Sequence, residues 1–107
     1  MMHVVDKENF EAEVNGAGMP VIVDIWGPSC EPCIALMPQV EELAEKYEGK
    51  IKFCKLNSAE NRRLCITLRV MGLPSFLAFN KDGEEVKRIS DHDMEIDAIV
   101  ELAEELL

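Results

Sequence analysis

Two cysteines separated by two residues, Cys30-Glu31-Pro32-Cys33, are the part of this 107-residue chain best suited to chemistry. On a first helical turn that spacing brings both sulfurs within disulfide reach and closes a small ring. Pro32 fits such a turn, where its missing amide donor costs nothing. The free amides and dipole at a helix start stabilise a thiolate on Cys30, the more exposed of the pair, and lower its pKa. Cys33, a turn deeper, is then placed to resolve a mixed disulfide. A bare CxxC is a weak signal; a buried strand before it and a helix after it, in a βαβ pattern, make it much stronger.

The rival reading of the pair is half of a zinc site. Zinc takes four ligands, often from a second CxxC or a pair of histidines. Cys54 and Cys65 lack that spacing, and His3 and His92 fall at opposite ends of the chain. No metal and no organic cofactor is expected. Cys54 alternates to the opposite sheet face from Lys55, and Cys65 lies on an apolar helical stripe, so both read as structural thiols that share one core layer. His3 and His92 read as surface residues, with His92 in the first turn of the last helix.

The elements that must hold the pair follow from periodicity. A first strand includes Val4-Val5, and Asp6 caps a helix through about Asn15, with Phe10 and Val14 on one face. The apolar, β-branched run Val21-Ile22-Val23-Asp24-Ile25-Trp26 is the pattern of a central strand covered on both faces. Helical periodicity runs from Cys30 to Lys50 with Pro38 inside it, where a kink is expected. Ile51 to Asn57 reads as a second buried strand, and Ser58 as the cap of a helix carrying Leu64, Cys65 and Leu68. Ser75 to Phe79, the turn Asn80-Lys81-Asp82-Gly83 and Glu85 to Ile89 make a hairpin. Ser90 with Asp93 resembles a capping box for the last helix, whose Ile99, Leu102, Ala103 and Leu106 face the core. The order β-α-β-α-β-α-β-β-α predicts an α/β domain spanning residues 1–107, a central mixed β-sheet with helices on both faces.

Composition bounds the function. Eleven basic against twenty-one acidic residues leave a formal charge of −10. A surface that negative repels phosphate backbones and anionic lipid, so neither a nucleic acid nor a membrane is an expected partner. Nothing at the N-terminus reads as a secretory signal, and Val21 to Trp26 is far short of a spanning helix. Reduced thiols in the cytoplasm are the expected state of the cysteines.

The run Val23-Asp24-Ile25-Trp26-Gly27-Pro28-Ser29-Cys30-Glu31-Pro32-Cys33, with Pro38 five residues on, resembles the thioredoxin active site. Gly72-Leu73-Pro74-Ser75 is similar to the family's loop with a cis-proline opposite the disulfide, and Lys55-Leu56-Asn57 to the strand that supplies a lysine beside a buried aspartate. The likeness covers essentially the whole chain and implies the thioredoxin fold. It implies Cys30 as nucleophile, Cys33 as resolving thiol, Asp24 as the carboxylate assisting proton transfer at Cys33, and Lys55 as its neighbour. It puts Trp26, Ser29, Pro32, Leu73 and Pro74 on the substrate-binding surface, with Trp26 also supporting the active-site loop and Pro74 in the cis form. The implied activity is reduction of protein disulfides, with disulfide-containing proteins and a thioredoxin-reductase-type electron donor as partners of a monomer.

Three positions depart from the family pattern. Ser29, Glu31 and Ile34 stand where tryptophan, glycine and a basic residue are usual. Glu31 sets a like charge beside the Cys30 thiolate, and Ile34 removes a compensating cation, so the thiolate is destabilised relative to the usual motif. That favours the disulfide and makes the couple a better reductant. Two other readings remain: a non-catalytic binding module whose docking surface these residues tune, and a glutathione-coupled oxidoreductase. The second lacks the tyrosine of a CPYC site, and the chain's charge disfavours an anionic tripeptide.

Overall fold

The structure is a computed structural model that describes residues 1–107. Strands β1 (His3–Val5), β2 (Val21–Trp26), β3 (Lys52–Asn57), β4 (Ser75–Phe79) and β5 (Glu85–Ser90) form one sheet in the order β1-β3-β2-β4-β5. β1 and β2 run parallel to β3, whereas β4 is antiparallel to β2 and β5 to β4, so the sheet is mixed as expected. Helices α1 (Glu31–Lys46) and α3 (Ile96–Glu105) pack on one face. The other face is covered by α2 (Arg62–Thr67) and a short π-helical turn, Glu11–Asn15.

β2 is central because it has no polar face to give to water. Val21, Val23 and Ile25 point into the layer with Phe10, Val14, Leu56, Leu77 and Phe79. Ile22 joins Leu36, Val40, Phe53, Phe76 and Leu102 on the α1–α3 side. Full burial of each such aliphatic is worth about 1.5–3 kcal/mol. Alternation puts Asp24 on the same face as Ile22, so a carboxylate enters an apolar layer solely through strand geometry.

Several boundaries differ from the sequence reading, each for a local reason. The Asp6 carboxylate does accept from the amides of Glu8 (2.8 Å) and Asn9 (3.0 Å). The segment it starts ends as a π turn, closed by the Gly16 amide on the Glu11 carbonyl. α1 stops at Lys46 rather than Lys50, with Tyr47 leaving helical geometry, and it runs through Pro38 as one helix. Ser58 is not a cap: the Asn57 side chain takes the Ala59 amide at 2.9 Å and starts a 3-10 turn, Ser58–Glu60. The Ser90–Asp93 capping box is also absent. Pairing of β5 with β4 extends to Ser90 opposite Ser75, and the Ser90 hydroxyl is engaged there. Asp91 instead turns the chain by accepting the Asp93 amide at 2.9 Å, and α3 begins at Ile96. His92 therefore sits in a loop ahead of the helix, not in its first turn.

The β4–β5 turn is fastened to the π turn. Gly83 has φ +85°, and a Cβ there would stand 2.3 Å from the Asn15 carbonyl, so only glycine fits. The Asn15 side-chain amide donates to the Gly83 carbonyl at 2.8 Å.

Candidate active site

Cys30 is the N-cap of α1. Its backbone is extended (φ −92°, ψ 99°), while its carbonyl already accepts the Ile34 amide at 3.1 Å. A sulfur takes the role that a serine or aspartate oxygen plays at other helix starts: the Cys33 amide donates to Cys30 Sγ at 3.3 Å. Pro32 lies in the first turn, where an amide has no partner to lose. Cys30 and Cys33 are joined as a disulfide with Cα atoms 5.3 Å apart. Cys30 is half-buried, and Cys33 is 1 % exposed. This asymmetry follows from the helix: Cys33 shares the stripe of Leu36, Val40, Leu43 and Ala44 that faces the sheet.

Two shallow clefts of about 300 and 560 Å³ flank the disulfide, and Ser29, Cys30 and Leu73 line both. Glu31, Pro32 and His92 complete the larger one. Leu73 reaches this position because Gly27 has no side chain; a Cβ there would lie 3.2 Å from Leu73 Cδ1. The Leu73–Pro74 peptide bond is cis. Pro74 is buried, and neither the amide nor the carbonyl of Leu73 has a hydrogen-bond partner within the chain. Trp26, at the end of β2, is half-buried and lines neither cleft.

Asp24 is 1 % exposed, and neither carboxylate oxygen has a hydrogen-bond partner. Burial pushes its pKa up to about 7, against a smaller opposing pull from the charge of Lys55. Lys55 is its register partner across β2–β3 and is half-buried. Asp24 thus lies on the sheet face that α1 covers, the face toward which Cys33 is turned.

Cys54 and Cys65 are free and share the core layer on the opposite face, as expected. Burial raises the pKa of both thiols, that of Cys54 to about 11, which suppresses their thiolates. No three histidine, cysteine, aspartate or glutamate side chains come together as a metal site would need.

The fold therefore gathers Ser29, Cys30, Pro32, Cys33 and Leu73 at one place and pairs Asp24 with Lys55 beneath α1. The residues that sequence reasoning missed are Gly27 and His92. Gly27 had a signal, since it lies three residues ahead of Cys30 within the run that resembles the family's active site. His92 reaches the site only by tertiary folding, from a position with no local mark.

The sequence profile of the thioredoxin family matches residues 1–105. A thioredoxin of Peptoclostridium acidaminophilum is 44 % identical over 99 residues, covering 90 % of this chain and 89 % of its own. A thioredoxin of Acetoanaerobium sticklandii is 42 % identical over 86 % of this chain and 87 % of its own. Thioredoxin 1 of a Nostoc species is 38 % identical over 79 % and 78 % respectively. With a matching profile along nearly its full length and a closed cysteine pair at the head of α1, the chain belongs to the thioredoxin family and is a thiol-disulfide oxidoreductase.

Proposed function

We propose that the chain reduces protein disulfides, with Cys30 as the attacking thiolate. Its sulfur displaces one sulfur of the substrate disulfide as thiolate and forms a mixed disulfide with the other. The Cys33 thiol then loses its proton to the Asp24 carboxylate and attacks Cys30 Sγ, closing the Cys30–Cys33 bond and expelling the second substrate thiolate. Two electrons pass to the substrate, and an external dithiol must return them. Disulfide-bearing substrates and a thioredoxin reductase are the partners that go with the family.

The observation that carries this reading is the pairing of a half-buried sulfur with an unsatisfied backbone. Leu73 lines the cleft that holds Cys30, and its amide and carbonyl have no partner within the chain. They suit a substrate chain that adds itself as a short strand, its disulfide then presented to the sulfur. Lys55 tunes the Asp24 carboxylate by its charge, Trp26 supports the loop from the end of β2, and Ser29 and Pro32 form part of the contact surface. A monomeric, cytoplasmic carrier fits this role.

The test is a trap. Cys33→Ser should accumulate a one-to-one mixed disulfide between Cys30 and a protein substrate, visible by mass spectrometry under non-reducing conditions. Cys30→Ser should accumulate none. Reversed behaviour of the two variants would exchange their roles, and no adduct with either would leave a binding module.

A further inference from the structure

The loop that presents Leu73 is held from outside by one face of β5. Arg88 donates from Nη2 to the carbonyl of Leu68 (2.9 Å) and from Nη1 to that of Arg69 (3.0 Å), at the end of α2. Its remaining donors grip Glu85, at 2.5 Å from Nε and 2.7 Å from Nη2, which fixes the plane of the guanidinium. Ser90, two residues on and therefore on the same strand face, lies 3.4 Å from the Gly72 carbonyl oxygen and 3.0 Å from the Ser75 hydroxyl. The Ser75 hydroxyl also donates to the Gly72 carbonyl. β5 thus fastens the connecting segment at its start, through Leu68 and Arg69, and at its end, through Gly72.

The fastening at Gly72 has a directional consequence. The Gly72–Leu73 peptide is trans and planar, so its carbonyl and its N–H point in opposite directions. The Ser75 hydroxyl, held in turn by Ser90, pins the Gly72 carbonyl and so aims the Leu73 N–H the other way, and that N–H has no partner in the chain. A free peptide plane would rotate and spend only part of its time presenting the donor.

We propose that Ser90 and Arg88, with Ser75, are positioning residues that hold the Leu73 backbone in the orientation that receives a substrate chain, so that they govern affinity for protein disulfides without touching the sulfur chemistry. This rests on substrate docking at Leu73. A merely structural role would lower thermal stability or affect every substrate alike. A positioning role raises the KM for a substrate with an extended chain and leaves a small disulfide unaffected.

The experiment measures reduction of insulin and of hydroxyethyl disulfide by the full chain, with dithiothreitol as electron source. For Ser90→Ala, loss of one hydrogen-bonding group predicts a rise of about two- to tenfold in insulin KM. The kcat, the hydroxyethyl disulfide rate and the midpoint potential should stay as in the parent chain. Ser90→Thr, which keeps the hydroxyl, should restore the parent KM. Arg88→Lys keeps the charge but loses the fork that holds two carbonyls and a carboxylate together, and it should raise KM in the same way. Equal losses on both substrates, or an unchanged insulin KM in Ser90→Ala and Arg88→Lys, would overturn the proposal. Amide exchange at Leu73 in the Cys33→Ser mixed disulfide with a peptide separates the underlying reading. If that amide is not protected, docking at Leu73 fails and the proposal with it; protection with an unchanged KM refutes the positioning role alone.

Discussion

Asp24 and Lys55 face each other across adjacent strands, yet no hydrogen bond or ion pair joins them. The lysine lowers the aspartate's pKa by charge alone, and burial outweighs it. A carboxylate held in this way is a costly element of the fold, and a pKa near neutrality suits the proton-accepting role proposed for it.

The cost is measurable as a pH dependence. The folded chain holds the Asp24 proton up to about pH 7, while an unfolded chain releases it near 3.8. The folded state therefore binds more protons between those values, and stability falls as pH rises through that window and levels off above it. The difference in pKa corresponds to an upper limit of about 4 kcal/mol. Asp24→Asn should be more stable than the parent by roughly 2–4 kcal/mol at pH 8 and by little at pH 4, as read by urea denaturation. The same variant should resolve mixed disulfides slowly. Equal stability of the two chains at pH 8 would mean that Asp24 is solvated.

Lys55→Met should push the Asp24 pKa further up, because it deletes the one opposing charge. The carboxyl signal in an NMR titration checks this directly. A pKa that falls or stays fixed would show that Lys55 does not act on Asp24.

Glu31 and Ile34 are both exposed, so their influence on the couple is screened by water. Glu31→Gly and Ile34→Lys should each make the midpoint potential less negative by about 5–20 mV, the electrical equivalent of a surface charge interaction. Thiol trapping in dithiothreitol and glutathione buffers gives the number. For the parent chain we expect a reducing value near the family's about −270 mV; a midpoint well above about −200 mV would falsify that assignment.

Gly83→Ala should destabilise by about 2–3 kcal/mol, since it combines a left-handed backbone with a collision at the Asn15 carbonyl. Gly18 also has a positive φ (71°) but nothing within 4 Å, so Gly18→Ala should cost only about 1 kcal/mol. Thermal unfolding of the two variants separates conformational strain from steric exclusion.

The sheet, its two-sided cover and the cysteine pair were legible in the sequence because each rests on local pattern. Val21 to Trp26 is apolar on both faces, and Cys30-Glu31-Pro32-Cys33 carries its own helix start. Helix ends were less legible. Ser58 and Ser90 have the right side chain for capping, but Asn57 competes successfully for the first, and pairing with β4 commits the second. The surroundings of Cys30 were legible only in part. Leu73 was visible through its neighbouring proline, whereas His92 comes from about 60 residues further along the chain and follows the hairpin that must close first. Nothing in the residues around it encodes that distance.

The sheet also acts as a bulkhead between two kinds of sulfur. Four cysteines allow three pairings, and two of the three would join a thiol beneath α1 to one in the opposite layer. Those two cannot form without unfolding, because the strands lie between the partners. Iodoacetamide should accordingly modify reduced Cys30 rapidly and leave Cys54 and Cys65 untouched until denaturant is added. The carrier can therefore cycle through many rounds of oxidation without scrambling its own connectivity, and an error in pairing would report on loss of the fold and not on turnover.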